Sequence, residues 1–131
     1  MIKFGYTILY VPDVEQAVSF YEKAFGFERI FITPDNDYGE LRTGETTLSF
    51  ASLTLAKEHL QNGVMESSIT AQPFAIEIAF ITDNVQETLD KAVSMGATLE
   101  ANPKDMPHGQ TVAYVRDPNG FLIEICTPLN T

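Results

Sequence analysis

The sequence predicts an α+β fold of two tandem β-α-β-β-β modules, and three observations predict it. One strand-then-helix passage is written twice: Tyr6-Thr-Ile-Leu-Tyr-Val-Pro-Asp13-Val14 running to Phe25-Gly26, and Glu77-Ile-Ala-Phe-Ile-Thr-Asp-Asn84-Val85 running to Met95-Gly96. Val85 follows Val14 by 71 residues and Gly96 follows Gly26 by 70, so the copies slip by one residue along the helix. Each helix is then followed by three short alternating segments separated by turn residues. Finally, 131 residues with 44% hydrophobic and 20% charged side chains suit one globular domain. A repeat of this size lets equivalent positions be compared directly. Tyr6 stands where the second copy has Glu77.

The first strand is expected at 4–11, with Phe4, Tyr6, Ile8 and Tyr10 on one face and Gly5, Thr7, Leu9 and Val11 on the other. Pro12-Asp13 ends it. Asp13 is a natural helix N-cap, and Gln16 three residues on completes a capping-box pattern. Val14, Ala17, Val18, Tyr21 and Phe25 share one helical face, and Gly26 supplies the left-handed stop. Strands are expected at 27–33, 38–43 and 46–52, with Thr43-Gly44-Glu45 as the hairpin turn. This makes module one 1–52. A polar connector, 53–72, contains one short helix around Leu55–Leu60.

Module two, 73–131, repeats the devices. Ile76, Ile78 and Phe80 are placed against the second helix, turning Glu77, Ala79 and Ile81 the other way. Asn84 caps the helix with Glu87 three residues later, and Val85, Leu89, Ala92 and Val93 form its apolar stripe. Strands follow at 97–101, 110–116 and 121–127, with Asp117-Pro-Asn-Gly120 as the turn. In the last strand Ile123 and Ile125 point one way, and Leu122, Glu124 and Cys126 the other. Covering the helix-free faces by pairing two curved sheets creates a cleft.

Eight basic and eighteen acidic residues give a net charge of −10. Such a surface repels phosphate backbones, so nucleic acid is not an expected partner, while cationic ligands would be attracted. No apolar run reaches the ~18 residues of a membrane span, and Met1-Ile-Lys-Phe-Gly does not open a signal peptide. The single Cys126 cannot form an internal disulfide, which suits the cytoplasm, and its apolar neighbours make it a buried structural thiol.

Two stretches carry a resemblance: Val11-Pro-Asp-Val-Glu-Gln-Ala-Val-Ser-Phe-Tyr-Glu-Lys-Ala-Phe-Gly-Phe27 and Val112-Ala-Tyr-Val-Arg-Asp-Pro-Asn-Gly-Phe-Leu-Ile-Glu124. With them the chain resembles the vicinal-oxygen-chelate superfamily, also called the glyoxalase/bleomycin-resistance/dioxygenase family. The resemblance implies two β-α-β-β-β modules whose curved mixed sheets form a cup-shaped cleft, commonly in a homodimer. It also implies a ligand quartet from the first and last strands of each module, which falls here on Tyr6, Ser49, Glu77 and Glu124. The family's metal-dependent members usually place His or Glu at three or four of these positions. Here only Glu77 and Glu124 are such residues, and both histidines, His59 and His108, lie elsewhere.

Glu77 and Glu124 sit among apolar neighbours, and a buried carboxylate needs a partner, a ligand, solvent or a proton. An internal bond to Arg42, Arg116 or Tyr6 is the structural alternative; catalysis by proton transfer, or binding of a cation, is the functional one. Tyr6, Ser49, Tyr10 and His108 are the candidate ligand-binding residues. Tyr6 can donate its hydroxyl, Tyr10 can flank an aromatic ligand beside Phe4, and His108 can line the mouth of the cleft. Ser49 lacks the surroundings of a nucleophile, and His59 reads as a surface helical residue. The residues assign no cofactor, with a divalent metal as the alternative. Three functions stay open: binding of a small organic molecule, cationic or aromatic, in an acidic cleft; a metal-dependent lyase, isomerase or dioxygenase; and a metal-free enzyme with Glu77 or Glu124 as base.

Overall fold

Alternation and capping place the elements in the computed structural model, which describes residues 1–129. The chain divides into two compact units, Met1–Glu66 and Ser67 onward. The first contains β1 (Thr7–Val11), α1 (Val14–Phe25), β2 (Glu28–Ile32), β3 (Tyr38–Arg42), β4 (Thr47–Ser52) and α2 (Leu53–His59). The second contains β5 (Glu77–Ile81), α3 (Val85–Ser94), β6 (Thr98–Asp105), β7 (Thr111–Arg116) and β8 (Leu122–Cys126). Each unit holds a four-stranded mixed sheet, β1-β4-β3-β2 or β5-β8-β7-β6. The first-and-last pairs, β1 with β4 and β5 with β8, run parallel, and the other pairs are antiparallel.

In the first unit Asp13 adopts extended backbone, and its Oδ1 accepts the Gln16 N–H at 3.2 Å and an Asn36 amide proton at 3.1 Å. One orphan helix donor is thereby satisfied. Gly26 closes α1 at φ 74°, its N–H donating to Glu22 O at 2.9 Å. The stripe Val14, Ala17, Val18 and Tyr21 is buried, and the Tyr21 ring meets Phe50 at 5.2 Å. Leu9, Val11, Leu41, Leu48 and Phe50 complete this core. Side chains alternate across a strand, so Ile8, Tyr38, Glu40 and Ser49 belong to the sheet face opposite these core residues.

The second unit repeats the logic. Asn84 Oδ1 accepts the Glu87 N–H at 3.0 Å while its own amide donates to Glu87 Oε2 at 3.1 Å. Val85, Leu89 and Ala92 are buried, with Ala113, Val115, Ile123 and Ile125 forming the sheet side of the core. Glu77, Ala79, Tyr114 and Glu124 occupy the opposite sheet face by the same period of two. Beyond β7, Asp117 Oδ1 accepts from Asn119 N at 2.9 Å and Phe121 N at 3.0 Å, shaping the turn before β8. The buried Arg116 donates from Nε to Gly120 O and from Nη2 to Ser68 O, each at 2.9 Å. That guanidinium ties the start of the unit to the turn.

Several expectations need correction. The first strand begins at Thr7 rather than residue 4, because its partner β4 begins only at Thr47 and pairing starts at Thr7↔Leu48; Phe4 and Tyr6 are exposed. Ile76 lies before β5 and is exposed instead of packing on the helix, and Val93 is also exposed, at the edge of the α3 stripe. Strand β6 runs on to Asp105 because two irregularities in register let it continue alongside β7. The connector helix starts earlier, at Leu53, where the Ser52 hydroxyl accepts the Leu55 N–H. Among the described residues, no helix is long and apolar enough to cross a membrane.

Candidate functional site

Strand pairing gathers polar side chains on the helix-opposed face of each sheet. In the second unit β8 is central, with β5 on one side and β7 on the other, so Ala79 and Tyr114 both stand opposite Glu124. The Tyr114 hydroxyl donates to Glu124 Oε1 at 3.1 Å. Glu77, two residues before Ala79, brings its carboxyl within hydrogen-bonding reach of Glu124. Glu77 is exposed as a residue, yet its carboxyl loses hydration where it meets the pair. That desolvation, followed by the hydrogen bond and charge of Glu124, raises its pKa above 4.5. Glu77 therefore keeps its proton to a higher pH than a solvated glutamate would.

The same surroundings act on their neighbours. Desolvation first, then Glu124, holds the Tyr114 phenol above its usual 10.0. Burial, with Glu124 and Glu77 behind it, pushes the Cys126 thiol up to about 11. Cys126 is buried, as its apolar neighbours predict, and its Sγ lies 3.7 Å from Phe80 O. A thiol this weakly acidic is a poor nucleophile. In the folded chain its reaction with a disulfide reagent at pH 8 is expected to run at least ~100-fold slower than for free cysteine. Guanidinium should restore the ordinary rate; a fast reaction without denaturant would contradict the buried, protonated thiol.

In the first unit Ser49 is fully buried, with Glu40 on β3 and Ile8 on β1 directly opposite. The Tyr38 hydroxyl lies 2.7 Å from Glu40 Oε2 and 3.0 Å from Ser49 Oγ. A phenol has one proton; giving it to the carboxylate leaves the Ser49 hydroxyl to donate to the phenol oxygen. Desolvation and Glu40 raise the Tyr38 pKa, against the opposing effect of Ser49, and Tyr6 is near enough to add a small electrostatic push.

The structure therefore brings Glu77 and Glu124 together, and sets Ser49 among residues that sequence reasoning passed over. Tyr10 is half-buried on β1 opposite Ala51. His108 stands apart on the turn before β7, its Nε2 2.6 Å from Gln110 Oε1. Gln110 gives its amide proton to Thr127 O, so its Oε1 accepts and His108 Nε2 carries the hydrogen. His59 is exposed, as expected. The two arginines offered as carboxylate partners are engaged elsewhere: Arg42 pairs with Glu28 at 3.0 Å, and Arg116 binds backbone carbonyls. Tyr114 takes the role instead. Its signal was the register, since a tyrosine six residues before the Gly120 turn falls opposite Glu124.

The model of the Glyoxalase/Bleomycin resistance protein/Dioxygenase superfamily matches residues 3–125. The chain belongs to that superfamily. This glyoxalase-superfamily chain is 28% identical over 126 residues to a protein from Synechocystis described as a probable lactoylglutathione lyase, covering 92% of this chain and 91% of that one. Its fold matches a crystal structure of a superfamily enzyme from Burkholderia phytofirmans with a TM-score of 0.81 at 21% identity, over 95% of this chain and 98% of the other. The lactoylglutathione lyase structure from Agrobacterium tumefaciens gives 0.71 at 22% identity, over 95% and 92%. For the divalent metal that the family resemblance implies, the second unit of this glyoxalase-superfamily chain offers two carboxylates beside a phenol and a protonated thiol. Among the described residues no group of three or more His, Cys, Asp and Glu side chains is gathered to hold an ion. That is short of the three or four nitrogen, sulfur or carboxylate ligands a resident transition metal prefers.

Proposed function

We propose that this glyoxalase-superfamily protein binds a small organic molecule, cationic or aromatic, on the acidic helix-opposed face of the second sheet, without the full metal quartet. The Glu77–Glu124 pair carries the reading: two carboxyls on one sheet face, close enough for Glu124 to help raise the pKa of Glu77, and no basic side chain paired with either among the described residues. A cationic group placed there would relieve their repulsion, and Tyr114 fixes the orientation of Glu124. The net charge of −10 would draw such a ligand in. A thermal-shift screen of cationic aromatic compounds tests this. A true ligand at ~100 times its dissociation constant stabilises by about 2.7 kcal/mol; no shift with any such compound would count against it.

One observation favours a second reading. A carboxyl with a raised pKa beside a second carboxyl suits proton transfer, making Glu77 a general base and Glu124 its partner in a metal-free enzyme. The relative's description as a lyase is in keeping with proton-transfer chemistry of some kind. Glu77→Gln separates the readings: turnover of a substrate should fall with binding largely kept if Glu77 is the base. Elemental analysis of chelator-free protein tests the metal-dependent lyase, isomerase or dioxygenase reading, which one equivalent of bound metal would support.

A further inference from the structure

The first sheet carries a carboxylate that neither reading uses. Glu40 lies in the middle of a row crossing all four strands, with Phe31 opposite it on β2, Ser49 opposite on β4 and Ile8 beyond on β1. It is half-buried, accepts the Tyr38 hydroxyl at 2.7 Å, and forms no salt bridge among the described residues. The Phe31 and Tyr38 rings stand 5.8 Å apart at 45°, and Phe31 keeps 42% of its surface exposed. Ile8, at the far end of the row, is also 42% exposed. The carboxylate thus sits among aromatic and aliphatic surfaces still open to a ligand.

Charge and shape together select the occupant. A partly desolvated carboxylate without a cationic partner gains from any cation that can reach it. A metal ion would find one carboxylate and two hydroxyls, too few hard donors. A primary ammonium or a metal ion also holds its water tightly, which suits aromatic walls badly. A weakly hydrated alkylammonium loses little on leaving water and is attracted to ring faces as well as to the carboxylate. Ser49 and Tyr38 hold Glu40 in place, because the phenol is pinned between the buried serine and the carboxylate.

We infer that the Phe31–Tyr38–Glu40 face of the first sheet binds a quaternary or alkylated ammonium group, with Glu40 as counter-charge and the packed Phe31–Tyr38 ring pair as a single apolar wall beside it. This does not depend on the carboxyl pair of the second unit. Choline and its neutral isostere 3,3-dimethylbutan-1-ol are the probes, titrated into the full chain by calorimetry, with ring resonances of Phe31, Tyr38 and Tyr114 followed by NMR. Choline is expected to bind saturably and about tenfold or more tighter than the isostere, moving the Phe31 and Tyr38 signals. Glu40→Gln should weaken choline about tenfold, while Glu45→Gln, in the exposed turn after β3, should leave it within about twofold. Equal binding of choline and the isostere, no saturable shift, or shifts at Tyr114 in place of Phe31 and Tyr38 would each overturn the inference. If Glu40→Gln fails to fold, the isostere comparison on the unaltered chain decides alone.

Discussion

Replacing Gly120 by alanine is expected to lower the thermal midpoint by about 10 °C or more, a loss of roughly 3 kcal/mol or above. Gly120 has a φ of +92°, where an L side chain is strained, and a Cβ there would lie 2.5 Å from both Ser68 C and Ser68 O and 2.8 Å from Ile69 N. These are backbone atoms, so no rotamer change relieves the contact. The displaced Ser68–Ile69 segment would also pull on the Arg116 guanidinium, which binds Gly120 O and Ser68 O together. Its buried donors would then lose their acceptors. Gly109→Ala is the control: its φ is +102° but nothing lies within 4 Å of the added carbon. It should lose only the conformational part, about 1–2 kcal/mol. Equal midpoints for the two variants in a calorimetric melt would refute the close-approach explanation.

Glu124→Gln should have the largest effect on binding. Removing one charge from the pair takes away a charge-assisted contact worth roughly 1.5–3 kcal/mol, hence about a tenfold to hundredfold loss of affinity for a cationic ligand. Stability should move the other way above acid pH. Because the folded pKa of Glu77 is raised, the folded chain holds that proton more tightly than the unfolded chain. The associated stability is full below the ordinary 4.5 and is lost as pH rises through the raised value. In the Glu124→Gln chain, Glu77 keeps only its burial cost, so the loss on raising pH should shrink. Glu77→Gln should remove it entirely. Urea midpoints across this pH range measure both effects as differences from wild type; the same pH dependence in wild type and Glu124→Gln would argue that Glu124 does not act on Glu77.

The repeat made the element order and both long helices legible, because period-two alternation, Asp13 and Asn84 caps and turn glycines are local signals; the strand order within each sheet was not. Glu77 and Glu124 were legible for the same reason: charged residues inside otherwise apolar strands. Their partners were not. Tyr114 and Tyr38 act across neighbouring strands, and only the register shows which residue stands opposite which. Arg116 looked like a carboxylate partner in sequence, yet backbone carbonyls claim it, since the Gly120 turn brings Ser68 within its reach. Strand ends were lost where partner length decides them. Phe4 and Tyr6 alternate like strand residues but have no strand to pair with, while β6 extends past Ala101 because β7 is there to receive it.

The coupling of Glu77 to Glu124 is the claim on which the proposed function rests, and its carboxyl carbon reports on it directly. Titration of the Glu77 side-chain carbon by NMR should give a midpoint above 4.5 in the wild-type chain. In Glu124→Gln the midpoint should fall part of the way back, leaving the portion due to burial. A Glu77 that titrates at its ordinary value in both proteins would contradict the raised carboxyl and remove the basis for a ligand site there.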